Sequence, residues 1–475
     1  MNPIKKLFGQ TAIYGLGTIV PRLVSYLLLT PFYTRIFEKG EYGSVTELYA
    51  YVAFLLVMLT YGMETTFFRF SQSGKDPKKV YSTALLTLLL TSSFFIGLVA
   101  ILNQSIADMI QYPQNENYIL FLAIIVGIDT FTAIPFAKLR NENKALKFTL
   151  IKITNVVVNV GLNFYFFLVF AKTHTVGIEY VFISNLIASG ITLLLLLPDM
   201  IHIRFSIDSR LLREMLSYAI PLLIVGLAGQ VNENSDKLFL KYLTPEGTDP
   251  MEQVGIYSAN YKLAVLMTIF VQMFRYAAEP FFFAQAKEKD AKKTYADVLK
   301  YFIIFGLLIF LGVMLFLDVV QYFIGSDFRE GLAVVPIVLM ANLFLGIFFN
   351  LSIWYKLENM TRYGAYIAII GAVITIILNV ILIPIIGYMG SAWATFICYF
   401  IMMLISYFWG QKRFPVQYPV IRILFYFALA GGIYLFTCLV EINSNTLRYG
   451  LHAALFITFI AVAWLTETRK LWQKR

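Results

Sequence analysis

Three groups of chemically capable side chains stand among apolar neighbours. Arg22 interrupts TIVPRLVSYLLL, and its planar fork of donors suits phosphate or carboxylate oxygens. Its alternative use is an interhelical ion pair with Glu64 or Asp129. Residues 228–243 read AGQVNENSDKLFLKYL; on a helix Gly229, Asn232 and Asp236 fall at i, i+3 and i+7, on one face. Glu233 and Lys237 form an i, i+4 pair in the favourable order and can neutralise each other, which leaves Asp236 without a local partner. Lys152, Asn155, Asn159 and Asn163, spaced three, four and four, also share a face. Such amides either glue helices, at about 0.6 to 2 kcal/mol each, or line a wall that contacts saccharide hydroxyls. Asp129 and Lys262 stand singly, each a candidate for a cavity or for pairing with the other. Lys152 also lies near enough to an inner surface to snorkel.

The elements that position these residues are membrane spans. The 475 residues are 59% hydrophobic and 14% charged, with a mean hydropathy of +0.72, the composition of an all-α polytopic membrane protein. Windows of about 20 apolar residues predict fourteen transmembrane helices, near 11–33, 44–67, 81–102, 118–137, 148–170, 178–198, 214–236, 254–275, 300–319, 332–353, 364–385, 389–409, 421–440 and 449–466. An ionisable group at the bilayer centre costs about 2.5 to 3.5 kcal/mol on insertion scales, so Arg22, Asp129 and Lys262 are functional candidates by position alone, and Asp236 joins them from the outer half of the seventh span.

The net charge of +10 invites a polyanion as partner, yet its distribution argues otherwise. With the N-terminus inside, 28 of the 38 Lys and Arg fall in cytoplasmic segments, seven in external loops and three within spans. That bias satisfies the positive-inside rule and turns both termini to the cytoplasm; no nucleic acid is needed to explain it. The first span follows Lys5 and Lys6 and is too long for a removable signal peptide. Two cysteines in apolar spans and three scattered histidines give neither a disulfide framework nor a metal-ligand spacing, and no cofactor is implied. Loops reach at most roughly 25 residues, the longest being the external one after Asp236 and the basic one over 284–299. No room remains for a soluble domain, and an enzyme that polymerises or transfers sugars would need an acid, base or metal site on a sizeable loop.

An internal repeat is present. KLRNENK (138–144) and KLENMTR (356–362) match in Lys, Leu, Asn and a terminal basic residue, and each precedes an apolar helix ending in Leu-Asn, at 162–163 and 378–379, which align with a gap of two. A looser echo joins EYGSVTELYA (41–50) to QVGIYSANYK (253–262). The first offset, near 217 residues, spans an even number of helices, so the copies share an orientation. This predicts two six-helix lobes in parallel repeat, 1–210 and 211–415, plus two added helices in 416–475.

The run SDKLFLKYL followed by QVGIYSANYKLA, the EYG after a Pro-Phe-Tyr-Thr-Arg helix end, and YGMETTFFRF at the close of the second span resemble the polysaccharide or O-antigen flippases, the Wzx-like branch of the multidrug/oligosaccharidyl-lipid/polysaccharide exporter superfamily. The resemblance covers essentially the whole chain. It implies a transporter of the bacterial inner membrane that moves an undecaprenyl-pyrophosphate-linked oligosaccharide from inner to outer leaflet, by rocking of two lobes around a cationic cavity, drawing on H+ or Na+ gradients or the membrane potential. It makes Arg22 the cavity arginine of the first helix and Asp236 the acidic position of the seventh. Asp129, Lys152, Asn155, Asn159, Asn232 and Lys262 join them as expected cavity residues on their positions in the spans. The acids beside Arg22 and Lys262 also permit a second reading, a cation-coupled exporter of drugs or metabolites from the related family.

Overall fold

The computed structural model describes residues 3–201, 206–286, 288–440, 442 and 444–472, and side chains at 17 and from 19 to 468 within those stretches. All its regular structure is helical. In chain order the helices are α1 (Pro3–Ile36), α2 (Lys39–Thr60), α3 (Met63–Ser71), α4 (Pro77–Ile101), α5 (Asn103–Met109), α6 (Glu116–Asn141), α7 (Ala145–Leu168), α8 (Glu179–Met200), α9 (Ser209–Leu243), α10 (Pro250–Leu263), α11 (Val265–Gln285), α12 (Ala291–Leu315), α13 (Leu317–Val320), α14 (Val334–Leu351), α15 (Ile353–Leu357), α16 (Arg362–Ile386), α17 (Tyr388–Arg413), α18 (Val420–Leu439) and α19 (Asn445–Trp472). Their starts follow local chemistry. Asp76 and Asp249 accept backbone N–H groups at the heads of α4 and α10, each with a proline in the first turn. Asp208 Oδ1 accepts the Leu211 N–H at 3.0 Å at the head of α9, and that bond holds its carboxyl below the usual carboxylate range.

Among the described residues, twelve helices, with α2 and α3 taken together and likewise α14 and α15, are long and apolar enough to cross a membrane, and a thirteenth crossing arises if α10 and α11, bent by 56°, form one span. Thirteen of the fourteen predicted spans therefore coincide with these elements. The remaining one, 11–33, falls on the 34-residue α1, whose side chains up to residue 16 lie outside the described residues.

The chain divides into two compact units, one of residues 1–32 and 44–238, the other of 33–43 and 239–475. In the first, α4 packs on α6, α6 on α8 and α7 on α8; in the second, α12 packs on α14, α14 on α17 and α16 on α17. The same order of packing appears twice. Its register is visible in two left-handed turns. Asn143 has φ 58° and Asn359 φ 56°, a conformation asparagine tolerates better than most residues. Beside them, the Lys144 N–H donates to the Leu139 carbonyl at 2.8 Å and the Met360 N–H to the Tyr355 carbonyl at 2.7 Å. Asn163 and Asn379, both fully buried, bind the carbonyl four residues back, of Asn159 and Thr375, at 2.8 Å each. Both pairs are 216 residues apart. The heptapeptide match is thus two residues out of structural register, and the gap that it forced on the Leu-Asn alignment disappears.

In the second unit, α18 and α19 pack on α12. An ion pair fastens them: Lys300 Nζ on α12 lies 2.5 Å from Glu467 Oε2 on α19, with side chains 6% and 9% exposed, and the Tyr426 hydroxyl of α18 donates to Glu467 Oε1 at 2.8 Å. Removing one member of a buried pair strands the other charge at a cost of about 3 kcal/mol or more, whereas an apolar pair of similar volume is nearly neutral. Lys300→Met should therefore lower the thermal unfolding midpoint in detergent. The Lys300→Met/Glu467→Leu double variant should restore most of the loss.

Candidate functional site

Polar groups of the first unit converge from four helices. Asp129 on α6 is half-buried, and its Oδ1 accepts the Ser189 hydroxyl of α8 at 2.9 Å. Lys152 on α7 places Nζ 3.9 Å from the centroid of the Phe136 ring, a contact that offsets part of the cost of an ammonium in an apolar setting. The charges of Asp129, Arg22 and Glu64 all act on it. One turn along α7, Asn155 Nδ2 donates to the Thr192 hydroxyl of α8 at 3.0 Å.

Arg22, next to Pro21 in α1, is exposed. Its two expected partners are engaged elsewhere. Glu64 Oε1 binds Arg140 Nη1 at 2.5 Å, and Asp129 holds Ser189. Among the described residues no carboxylate pairs with Arg22, so the ion-pair use of this arginine does not arise there. Two cations, Arg22 and Lys152, with hydroxyls and amides beside them, can coordinate a polyanionic oxygen group.

The remaining expected residues make contacts of their own. Asn159, half-buried, accepts from Asn163 Nδ2 at both its carbonyl and its Oδ1, so these bonds tie Asn163 to its own helix, and Asn159 is the more accessible of the two. On α9, Asn232 and Asp236 are both buried. Lys237 Nζ lies 3.1 Å from Asp236 Oδ1, so the acid that the sequence left without a local partner has its immediate neighbour as one. Lys262 belongs to the second unit, half-buried in the last turn of α10, just before the 56° bend.

Two features escaped the sequence reading. Ser189 and Thr192, which hold Asp129 and Asn155, are single hydroxyls in an apolar helix, and small hydroxyl residues carry no charge signal. Glu47 on α2 is fully buried and accepts the Tyr112 hydroxyl at 2.7 Å. It sits only three residues inside the predicted span 44–67, where an acid reads as a solvated helix end.

A family model described as polysaccharide biosynthesis protein matches residues 32–331. The chain belongs to the polysaccharide biosynthesis protein family. Lsg locus putative protein 1 of Haemophilus influenzae is 22% identical over 338 residues, 68% of this chain and 78% of that protein. Among solved structures, the lipid II flippase MurJ in an inward closed conformation superposes with a TM-score of 0.75 over 96% of this chain and all of its own, at 16% identity. An inward-facing multidrug resistance MATE family transporter of the MOP superfamily gives 0.67 over 85% of this chain and 94% of its own, at 13% identity. At such identities the likeness is one of fold. The family match agrees with the polysaccharide branch of the resemblance read in the sequence, and the fold is one that this chain shares with a lipid II flippase and a multidrug transporter.

Proposed function

We propose that this protein moves an undecaprenyl-pyrophosphate-linked oligosaccharide from the inner to the outer leaflet of the bacterial inner membrane, for cell-surface polysaccharide synthesis, by alternating access of its two lobes. The observation that carries the reading is Arg22: an exposed guanidinium on a membrane helix, without an ion-pair partner among the described residues and close enough to Lys152 to feel its charge. A guanidinium without a carboxylate partner has donors to spare for the oxygens of a diphosphate, and Lys152 on α7 adds a second cation. An amphipathic cation finds no such match at Arg22, which disfavours drug export. Asp129, Asn155 and Asn159 supply acceptors and donors for sugar hydroxyls. Asn232 and Asp236 on α9 and Lys262 on α10 complete the proposed path of the polar head, with coupling to H+ or Na+ as part of the same reading. A lipid-linked head group must cross about 30 Å of hydrocarbon, and a polar path through the protein removes that barrier. The leaflet in which the lipid-linked oligosaccharide accumulates in cells lacking this protein tests the reading.

A further inference from the structure

The second unit holds a pocket of about 690 Å³. It is formed by the first turns of α12, the 415–419 connection, the start of α18 and the end of α19. Four cations line it, Lys289, Lys292, Lys293 and Arg422. None of them has an ion-pair partner among the described residues, and Lys292 rests 4.5 Å over the Phe414 ring. A fifth, Lys300, is neutralised by Asp297 and Glu467, which leaves Asp290 as the opposing carboxylate of the lining. The pocket therefore carries an excess of positive charge.

Next to it runs a groove of about 390 Å³ with a wholly apolar lining, between α12, α14, α17 and α18. The two cavities share their walls. On α12, Leu299 faces the groove and Lys300 the pocket; on α18, Arg422 faces the pocket and Ile423 the groove; in the connection, Gln417 belongs to the pocket and Tyr418 to the groove. A cationic recess beside an apolar groove matches a molecule with a phosphate at one end and an acyl chain at the other.

We infer that this is a binding site for an anionic phospholipid of the surrounding leaflet, its phosphate among Lys289, Lys293 and Arg422 and one acyl chain in the groove. A free phosphate would use the pocket and leave the groove empty. A neutral phospholipid would use the groove and gain little from the lysines. The inference concerns a structural or regulatory lipid and is independent of the proposed cargo.

The test is native mass spectrometry of the full chain in micelles, titrated with phosphatidylglycerol and with phosphatidylcholine of the same acyl chains. Wild type should retain phosphatidylglycerol in preference, and the triple variant Lys289→Gln/Lys293→Gln/Arg422→Gln, all at accessible positions, should weaken that retention about tenfold or more and leave phosphatidylcholine unaffected. Ile423→Trp, which fills the groove, should weaken phosphatidylglycerol with the lysines intact. Glycerol 3-phosphate should not displace the lipid. Equal retention of the two lipids by wild type, an unchanged triple variant, or displacement by glycerol 3-phosphate would each overturn the inference. So would an Ile423→Trp variant that keeps phosphatidylglycerol but loses export, since the groove would then hold the tail of the cargo.

Discussion

Arg22→Ala should reduce export of cell-surface polysaccharide at least tenfold while the amount of inserted, folded protein stays the same or rises. The two halves of this expectation have separate causes. Hydrogen bonds from a charged donor to phosphate oxygens contribute about 1.5 to 3 kcal/mol, and each 1.4 kcal/mol is about tenfold in affinity. Removing the guanidinium also removes an insertion cost of about 2.5 to 3.5 kcal/mol. With no carboxylate left unpaired among the described residues, nothing offsets that gain. Arg22→Lys should recover part of the activity, because it keeps the charge and loses the two-pronged geometry. Quantitative surface-polysaccharide blots beside membrane-fraction immunoblots separate the effects. A fall in folded protein equal to the fall in export would assign Arg22 to stability.

Gly255→Leu should cost about 3 kcal/mol or more and deplete folded protein from the membrane. The reason lies in a reciprocal contact of the second unit. A Cβ on Gly43 of α2 would fall on the Met251 carbonyl oxygen, and a Cβ on Gly255 of α10 would fall on that of Lys39. Each glycine admits the backbone four residues before the other, so the two helices touch along their main chains, as small residues allow in membrane proteins. Neither helix can accept a side chain at the crossing without moving apart. Gly255→Ala should show a smaller loss of the same sign. Gly432→Ala, where a Cβ meets nothing within 4 Å, should leave stability unchanged or slightly raised. Fluorescence-detected gel filtration of the three variants after graded heating checks the order.

These two glycines also show what was legible in the sequence. They occupy matching places in EYGSVTELYA and QVGIYSANYK, the echo that suggested the repeat, and the structure gives the echo a physical cause in a shared crossing. The helices themselves were readable because hydrocarbon demands long apolar runs and satisfied backbone bonds. The bend between α10 and α11 was not, since no proline or glycine stands at Ala264 to mark it. At the candidate site, Arg22 and Asp129 were legible because a charge in a span is rare. Which polar groups meet across helices was harder to find. Glu64 meets Arg140 across 76 residues, and Asp129 meets Ser189 across 60; helical spacing relates residues within one helix and is silent on which helices adjoin. Within a single helix the i, i+4 pattern offered Glu233 to Lys237, while the structure also sets that ammonium against its immediate neighbour Asp236.

The most direct test of the account is the leaflet location of the cargo. In cells lacking this protein, radiolabelled undecaprenyl-pyrophosphate oligosaccharide should accumulate where external glycosidases and periodate cannot reach it. Wild type should return it to the accessible leaflet, and Arg22→Ala should not. Lipid-linked oligosaccharide that is equally accessible with and without the protein would contradict the flippase reading. Hypersensitivity of the same cells to cationic dyes would then favour drug export.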